Sequence, residues 1–177
     1  MSSTQWNLDP AHSQIAFKVK HMMISNVTGY FDNFKVNVSA DDDTFKNASI
    51  DFEANINSIN TNNESRDEHL KSPEFFDAAQ FPTLSFKGTN YELKGEGEAE
   101  LKGDLTIKGV TKPDVLSVDH LGIQKDPWGN TKTGFSINGK IKRSDFDLTW
   151  NAALETGGVM VSDEVKLNAE VQFVKGN

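Results

Sequence analysis

The sequence predicts an all-β fold, an extended eight-stranded antiparallel barrel with one or two short helices. Three observations predict it: apolar and polar residues alternate along about eight separate runs, turn formers divide the runs, and glycines fall at apolar positions inside two of them. Alternation with a period of two marks a strand with one buried face, because successive side chains point to opposite sides of a sheet.

The pattern is clearest in Asn47–Asn57, where Ala48, Ile50, Phe52, Ala54 and Ile56 take every second position between polar residues. It recurs in Ser13–Lys20, Gly29–Ser39, Thr83–Tyr91, Gly97–Ile107, Thr133–Arg143 and Glu164–Val174, and less regularly in Val115–Ile123. Between the runs lie Ala40-Asp41-Asp42-Asp43, Lys94-Gly95-Glu96-Gly97 and Asp126-Pro127-Trp128-Gly129-Asn130, which suit hairpin and meander connections. About eight strands close into a small barrel, and closure needs strongly bent strands. Gly103 and Gly139, at the apolar phase of their runs, are the expected places of bending or close backbone approach. One segment breaks the period. Ser65-Arg66-Asp67-Glu68 matches a capping box and predicts a short helix over 66–71, ended near Pro73, with Arg66, His69 and Leu70 on one face. A second helical turn is expected around Ile24-Ser25-Asn26-Val27.

No change of composition divides the 177 residues, so a single domain is expected, long enough to form a core without covalent staples. The absence of cysteine excludes a disulfide framework, a thiolate nucleophile, a zinc ribbon and an iron–sulfur site. A net charge of -8 argues against a nucleic-acid partner, which needs a concentrated positive face. No run approaches the ~20 apolar residues of a membrane span. The first ten residues lack the basic and apolar regions of a secretion signal. The expected location is therefore cytoplasmic, or periplasmic if a leader has been removed. His12, His21, His69 and His120 are isolated in sequence, without metal-ligand spacing, and no nucleophile elbow, phosphate loop or dinucleotide fingerprint is present. Neither a metal, a cofactor nor a catalytic centre is expected.

Apolar residues make up 36% of the chain, thin for a filled sandwich, and 12 residues are phenylalanine, a supply of rings for the wall of a lumen. Strand parity locates two polar residues. His21 continues the phase of Ile15, Phe17 and Val19, and Arg143 that of Phe135, Ile137 and Ile141, so both are expected at the barrel rim facing inward. Arg66 and Arg143 are the only arginines, and a guanidinium fork suits phosphate or carboxylate better than lysine does. Arg66 falls in the first helical turn, where the dipole opposes a cation by ~0.3–1 kcal/mol. Such a position invites a partner. The competing readings are ion pairs to Asp67, Glu68 or Asp145 and a hydrogen-bonded structural imidazole at His21.

Several ordered motifs then stand out: Trp6-Asn7-Leu8-Asp9-Pro10-Ala11-His12-Ser13, His21 followed by Val27-Thr28-Gly29-Tyr30-Phe31, and Arg66-Asp67-Glu68-His69-Leu70-Lys71-Ser72-Pro73-Glu74-Phe75-Phe76-Asp77 with Phe81-Pro82 and Phe86 behind it. Gly103–Pro113, Arg143-Ser144-Asp145-Phe146 and Val161-Ser162-Asp163-Glu164-Val165 complete the set. Through these motifs nearly the whole chain resembles the YceI-like family of bacterial, lipocalin-like polyisoprenoid-binding proteins. The resemblance implies an extended eight-stranded barrel around a long apolar tunnel that holds a polyisoprenoid chain, a fatty acid or a fatty amide. It implies no established catalytic centre. Two departures stand out: the secretion signal common in the family, and the glycine that commonly follows Arg-Ser-Asp-Phe, where this chain has Asp147.

The expected function is binding, transport or sequestration of a long-chain amphiphilic lipid, such as a polyisoprenoid, its phosphate or an isoprenoid quinone precursor, with a fatty acid or fatty amide as the alternative ligand. Phe17, Phe34, Phe52, Phe86, Phe135 and Trp150 are expected as tunnel wall or end plugs. His21, Arg66, His69 and Arg143 are expected to receive the headgroup through charge-assisted hydrogen bonds. Two competing readings are an enzyme acting on the bound lipid through His21 or His69, and a structural barrel filled by its own side chains. A homodimer covering a strand edge or the tunnel mouth is a further expectation.

Overall fold

The computed structural model describes residues 4–22, 24–149 and 161–176. In chain order the elements are β1 (Thr4–Leu8), β2 (Gln14–His21), β3 (Ser25–Phe31), β4 (Phe34–Ala40), β5 (Ser49–Asn55), β6 (Ile59–Asn60), α1 (Glu64–Lys71), β7 (Thr83–Gly95), β8 (Glu98–Ile107), β9 (Val110–Lys125), β10 (Thr131–Lys142) and β11 (Val161–Lys175). Pairing runs β1-β4-β5-β7-β8-β9-β10-β11, and β1 also pairs with β11, which closes an eight-stranded antiparallel barrel.

Beyond β1 the same edge of β11 pairs with β2, and β3 and β6 continue outward from it. Three staves of the barrel are therefore interrupted strands. A 3-10 turn over Pro10–His12 separates β1 from β2; Pro10 has no N–H to give a ladder, and the Asp9 side chain caps the turn by accepting from the Ala11 amide. A bend at Asp32-Asn33 divides β3 from β4, and a 3-10 turn over Ile56–Ser58, capped by Asn55, divides β5 from β6. The single runs expected over 29–39 and 47–57 are each broken for this reason.

Two local expectations are corrected. The segment after Ile24 is strand, not helix, because Ser25 and Asn26 pair with His21 and Lys20 and must be extended to do so. The helix starts at Glu64, and its N-cap is Asn63, whose side chain accepts from the Arg66 amide at 3.0 Å. Asn63 takes the capping position two residues ahead of Ser65, so the Ser65–Glu68 box goes unused.

The two ends of the barrel differ. At the base, Trp6 and Phe45 pack with ring centroids 5.3 Å apart, Phe45 meets Phe135 at 5.1 Å, Phe135 meets Phe173 at 5.9 Å, and the His120 ring stacks on Phe135 at 4.8 Å. Trp6, Phe45 and Phe173 are buried, so this end is plugged by interlocked rings. At the other end α1 and a 3-10 turn over Arg143–Phe146 frame an opening. Between the ends, two glycines make room for lumenal side chains: a Cβ on Gly103 would stand 2.5 Å from the Phe86 ring, and one on Gly139 would stand 2.4 Å from Leu116. Close approach, as expected from their phase, is what these positions require.

Candidate functional site

Inward-facing residues of the strands enclose a cavity of about 130 Å³, whose wall includes Phe17, Phe31, Phe52, Phe86 and Phe135 with aliphatic neighbours. A second chamber of about 410 Å³ lies between α1 and strands β2, β3 and β11. The two spaces share Phe17, Phe31, Leu84, Ile107 and Leu167, which form a neck between them. Phe17 and Phe31 pack there with centroids 5.6 Å apart.

The outer chamber brings together His21, Arg66, His69 and Arg143, from the end of β2, two turns of α1 and the start of the 3-10 turn that follows β10. Their chemistry is unequal. Arg143 is buried, and its guanidinium donates from Nε to the Ser162 carbonyl at 2.9 Å, from Nη1 to Leu148 at 2.6 Å and from Nη2 to Val161 at 3.1 Å. Burial pulls its pKa down, with Asp163 acting the other way. This arginine ties the chain around the opening to β11. Arg66 donates from Nε to Thr61 Oγ1 at 2.8 Å and from Nη2 to the Thr61 carbonyl at 2.7 Å. Thr61 is itself held by Asp67, which accepts from its amide at 2.9 Å and from its hydroxyl. The helical-dipole cost at Arg66 is thus met by a backbone carbonyl and a hydroxyl, not by the acids considered from sequence. Arg66 lines the chamber with Nε and Nη2 committed to Thr61, and its Nη1 has no hydrogen-bond partner among the described residues. The His69 ring pairs with Glu74 and meets Phe75 edge-on at 5.1 Å. His21 lines the same chamber without a side-chain hydrogen bond among the described residues.

Of the six expected ring residues, Phe17, Phe52, Phe86 and Phe135 line the inner cavity. Phe34 does not. It packs against Phe52 with centroids 6.5 Å apart and borders a separate side cleft with Pro10 and Tyr30, because the bend at Asp32-Asn33 carries it past the end of the lumen. Trp150 lies outside the described residues. Sequence reasoning missed Phe31, which closes the neck, and Phe45, which plugs the base from a loop without periodicity. It also missed Thr61, whose only signal was its place just before the helix cap.

Among the described residues, two buried polar atoms beside the inner cavity have no hydrogen-bond partner, Tyr91 Oη and Asp114 Oδ2. Burial pushes the Tyr91 pKa up to about 12 and raises that of Asp114, which the Val115 amide partly opposes. Among the described residues no three His, Asp or Glu side chains converge as a metal site would need.

Comparison with known proteins gives a consistent picture. The YceI-like domain profile matches residues 6–173. A UPF0312 protein of Staphylococcus aureus is 40% identical over 171 residues, spanning 96% of this chain and 97% of that protein. The crystal structure of the Campylobacter jejuni YceI protein is 36% identical and superposes with a TM-score of 0.79, covering 89% of this chain and 90% of the other. A polyisoprenoid binding domain from Saccharophagus degradans shares the fold at 15% identity, with a TM-score of 0.65 over 97% and 98% of the two chains.

Proposed function

The chain belongs to the YceI-like domain family, and from that premise we propose that it binds one long-chain amphiphilic lipid, a polyisoprenoid or its phosphate, with the tail in the barrel and the headgroup in the outer chamber. The observation that carries the reading is the sequence of spaces: an apolar cavity plugged by rings at one end and joined by an aromatic neck to a chamber that holds cationic and imidazole side chains. An apolar chain gains ~0.8 kcal/mol for each CH₂ removed from water, so the barrel needs no directional contact to hold a tail. The headgroup falls to Arg66, whose Nη1 has no hydrogen-bond partner among the described residues, and to His21, which lines the same chamber. Arg143 serves the same end indirectly, by fixing the wall. The polyisoprenoid binding domain of Saccharophagus degradans, with the same fold, supports the ligand class. Binding alone, with carriage or sequestration as its purpose, accounts for these features, and the reading includes no reaction.

Native mass spectrometry of the purified protein, followed by organic extraction and identification of the bound species, tests it. A stoichiometric long-chain lipid is the expected result. A bare mass, together with no binding of geranylgeranyl phosphate or palmitate on titration, would replace the carrier with a barrel filled by its own side chains.

A further inference from the structure

The turn between β2 and β3 projects apolar side chains from the same end of the barrel as the outer chamber. Ile24 is 83% exposed and Met22 40% exposed. Met22 also adopts a left-handed backbone, φ 53°, which is costly for a long side chain without a glycine's freedom. Neither exposure nor strain contributes to folding. Directly below this tip, on the outer face, the register sets lysines opposite one another on three adjacent strands: Lys140 of β10 faces Lys166 of β11, which faces Lys18 of β2. All three are exposed, and Lys20 and Lys142 flank the row. Like charges directly opposite across a sheet are destabilising, and here they collect on one face of a chain whose net charge is -8. Of the nearby acids, Glu164 offsets Lys140 at 4.0 Å, and Asp163 is held by the Ser144 amide and hydroxyl.

We propose that this end of the barrel docks on an anionic membrane surface, with Ile24 and Met22 entering the interface and the lysine row of Lys18, Lys140 and Lys166 resting on the headgroups. An apolar tip with an adjacent cationic face is the combination that binds lipid interfaces, the first through burial and the second through attraction to anionic headgroups. It would place the opening of the outer chamber, lined by His21 and Lys20 of the same strand, against the bilayer. Among the described residues no helix is long and apolar enough to cross a membrane, so the contact is peripheral. The inference goes beyond lipid binding in the lumen and does not depend on it, since docking requires no occupant.

The test is sedimentation of the full chain with vesicles of phosphatidylcholine alone and of phosphatidylcholine mixed two to one with phosphatidylglycerol. The mixed vesicles are expected to bind the protein and the neutral ones to bind it at least ~10-fold more weakly. Ile24→Ser, and separately Lys18→Gln with Lys166→Gln, are each expected to lose ~10-fold or more on the mixed vesicles while circular dichroism stays unchanged. No binding to either vesicle overturns the proposal. So does loss in the lysine variant with none in Ile24→Ser, which would mark a site for soluble polyanions. Failure here leaves extraction of a bound lipid unaffected, and the two readings stand or fall separately.

Discussion

Phe17 lies over Gly29 of the neighbouring strand, so close that a Cβ placed on Gly29 would stand 2.2 Å from its Cζ. The two residues are direct partners across β2 and β3, and the ring helps to form the neck between cavity and chamber. The bare glycine is what lets the ring occupy that place. Gly29→Ala therefore forces the ring aside or the strand back, at an expected cost of ~1–3 kcal/mol, visible as a fall of several degrees in thermal midpoint. Unchanged stability in this variant would mean that the ring moves freely and the neck is not fixed by this contact.

Asp147 closes the 3-10 turn over Arg143–Phe146 in a left-handed conformation, φ 61° and ψ 25°. Such a backbone costs an ordinary side chain roughly 1–2 kcal/mol, less for aspartate. The geometry explains why a glycine is at home after Arg-Ser-Asp-Phe, and why its replacement here leaves the turn intact. Asp147→Gly should keep the fold and raise stability by less than ~1 kcal/mol, relief of the left-handed cost being partly offset by the entropy a glycine loses on folding. Denaturation in urea checks this; a loss of stability would show that the Asp147 side chain has a role the turn depends on.

The two arginines are expected to respond differently to replacement. Arg143→Met removes the donor that Leu148, Val161 and Ser162 share, the Leu148 contact being fully buried, and the expected loss is ~2 kcal/mol or more, from three hydrogen bonds to a charged group. Arg66→Gln removes one donor pair at the half-buried Thr61 contact and is expected to stay within ~1 kcal/mol of the parent. Its effect belongs to binding. Affinity for geranylgeranyl phosphate should fall well below that of the parent while affinity for geranylgeraniol holds, and an equal fall for both would remove Arg66 from the headgroup contact.

The barrel was legible because its strands display one buried face, and residues such as Ile50, Phe52 and Ala54 announce it by position alone. The interruptions were not, because a bend such as Asp32-Asn33 leaves the period on either side unbroken. β1 escaped notice for a related reason: in five residues, only Trp6 and Leu8 carry the apolar phase. Parity and helical spacing brought His21, Arg143, Arg66 and His69 to one end correctly, since both depend only on backbone periodicity. What they could not reveal is which side chain is already occupied. The commitment of Arg143 to three carbonyls depends on where a 3-10 turn brings Leu148 and β11, and that is tertiary geometry. Phe34 shows the same limit, having the right phase on a strand that ends too soon.

Two lumenal groups give stability opposite dependences on pH. Burial against Phe135 lowers the pKa of His120 below its ordinary 6.5, with Asp43 opposing. The unfolded chain therefore takes up this proton first as pH falls, so the contribution is complete above ~6.5 and is lost below it. Asp114 lies on β9 just past the last pairing with β10, at Ser117 and Asn138, and burial raises its pKa above 3.8. The folded state here holds its proton to higher pH than the unfolded chain does. Its stabilising effect is full below ~3.8 and is lost as pH rises through the folded value. Among the described residues the buried Asp114 Oδ2 has no hydrogen-bond partner, so ionisation there goes uncompensated. Asp114→Leu is expected to gain ~1–3 kcal/mol near pH 7, with the gain shrinking towards pH 4, whereas His120→Gln should flatten the loss between about pH 7 and 5. Denaturant titrations across this range read both, and a profile for Asp114→Leu running parallel to the parent would mean that the carboxylate finds a partner in solution.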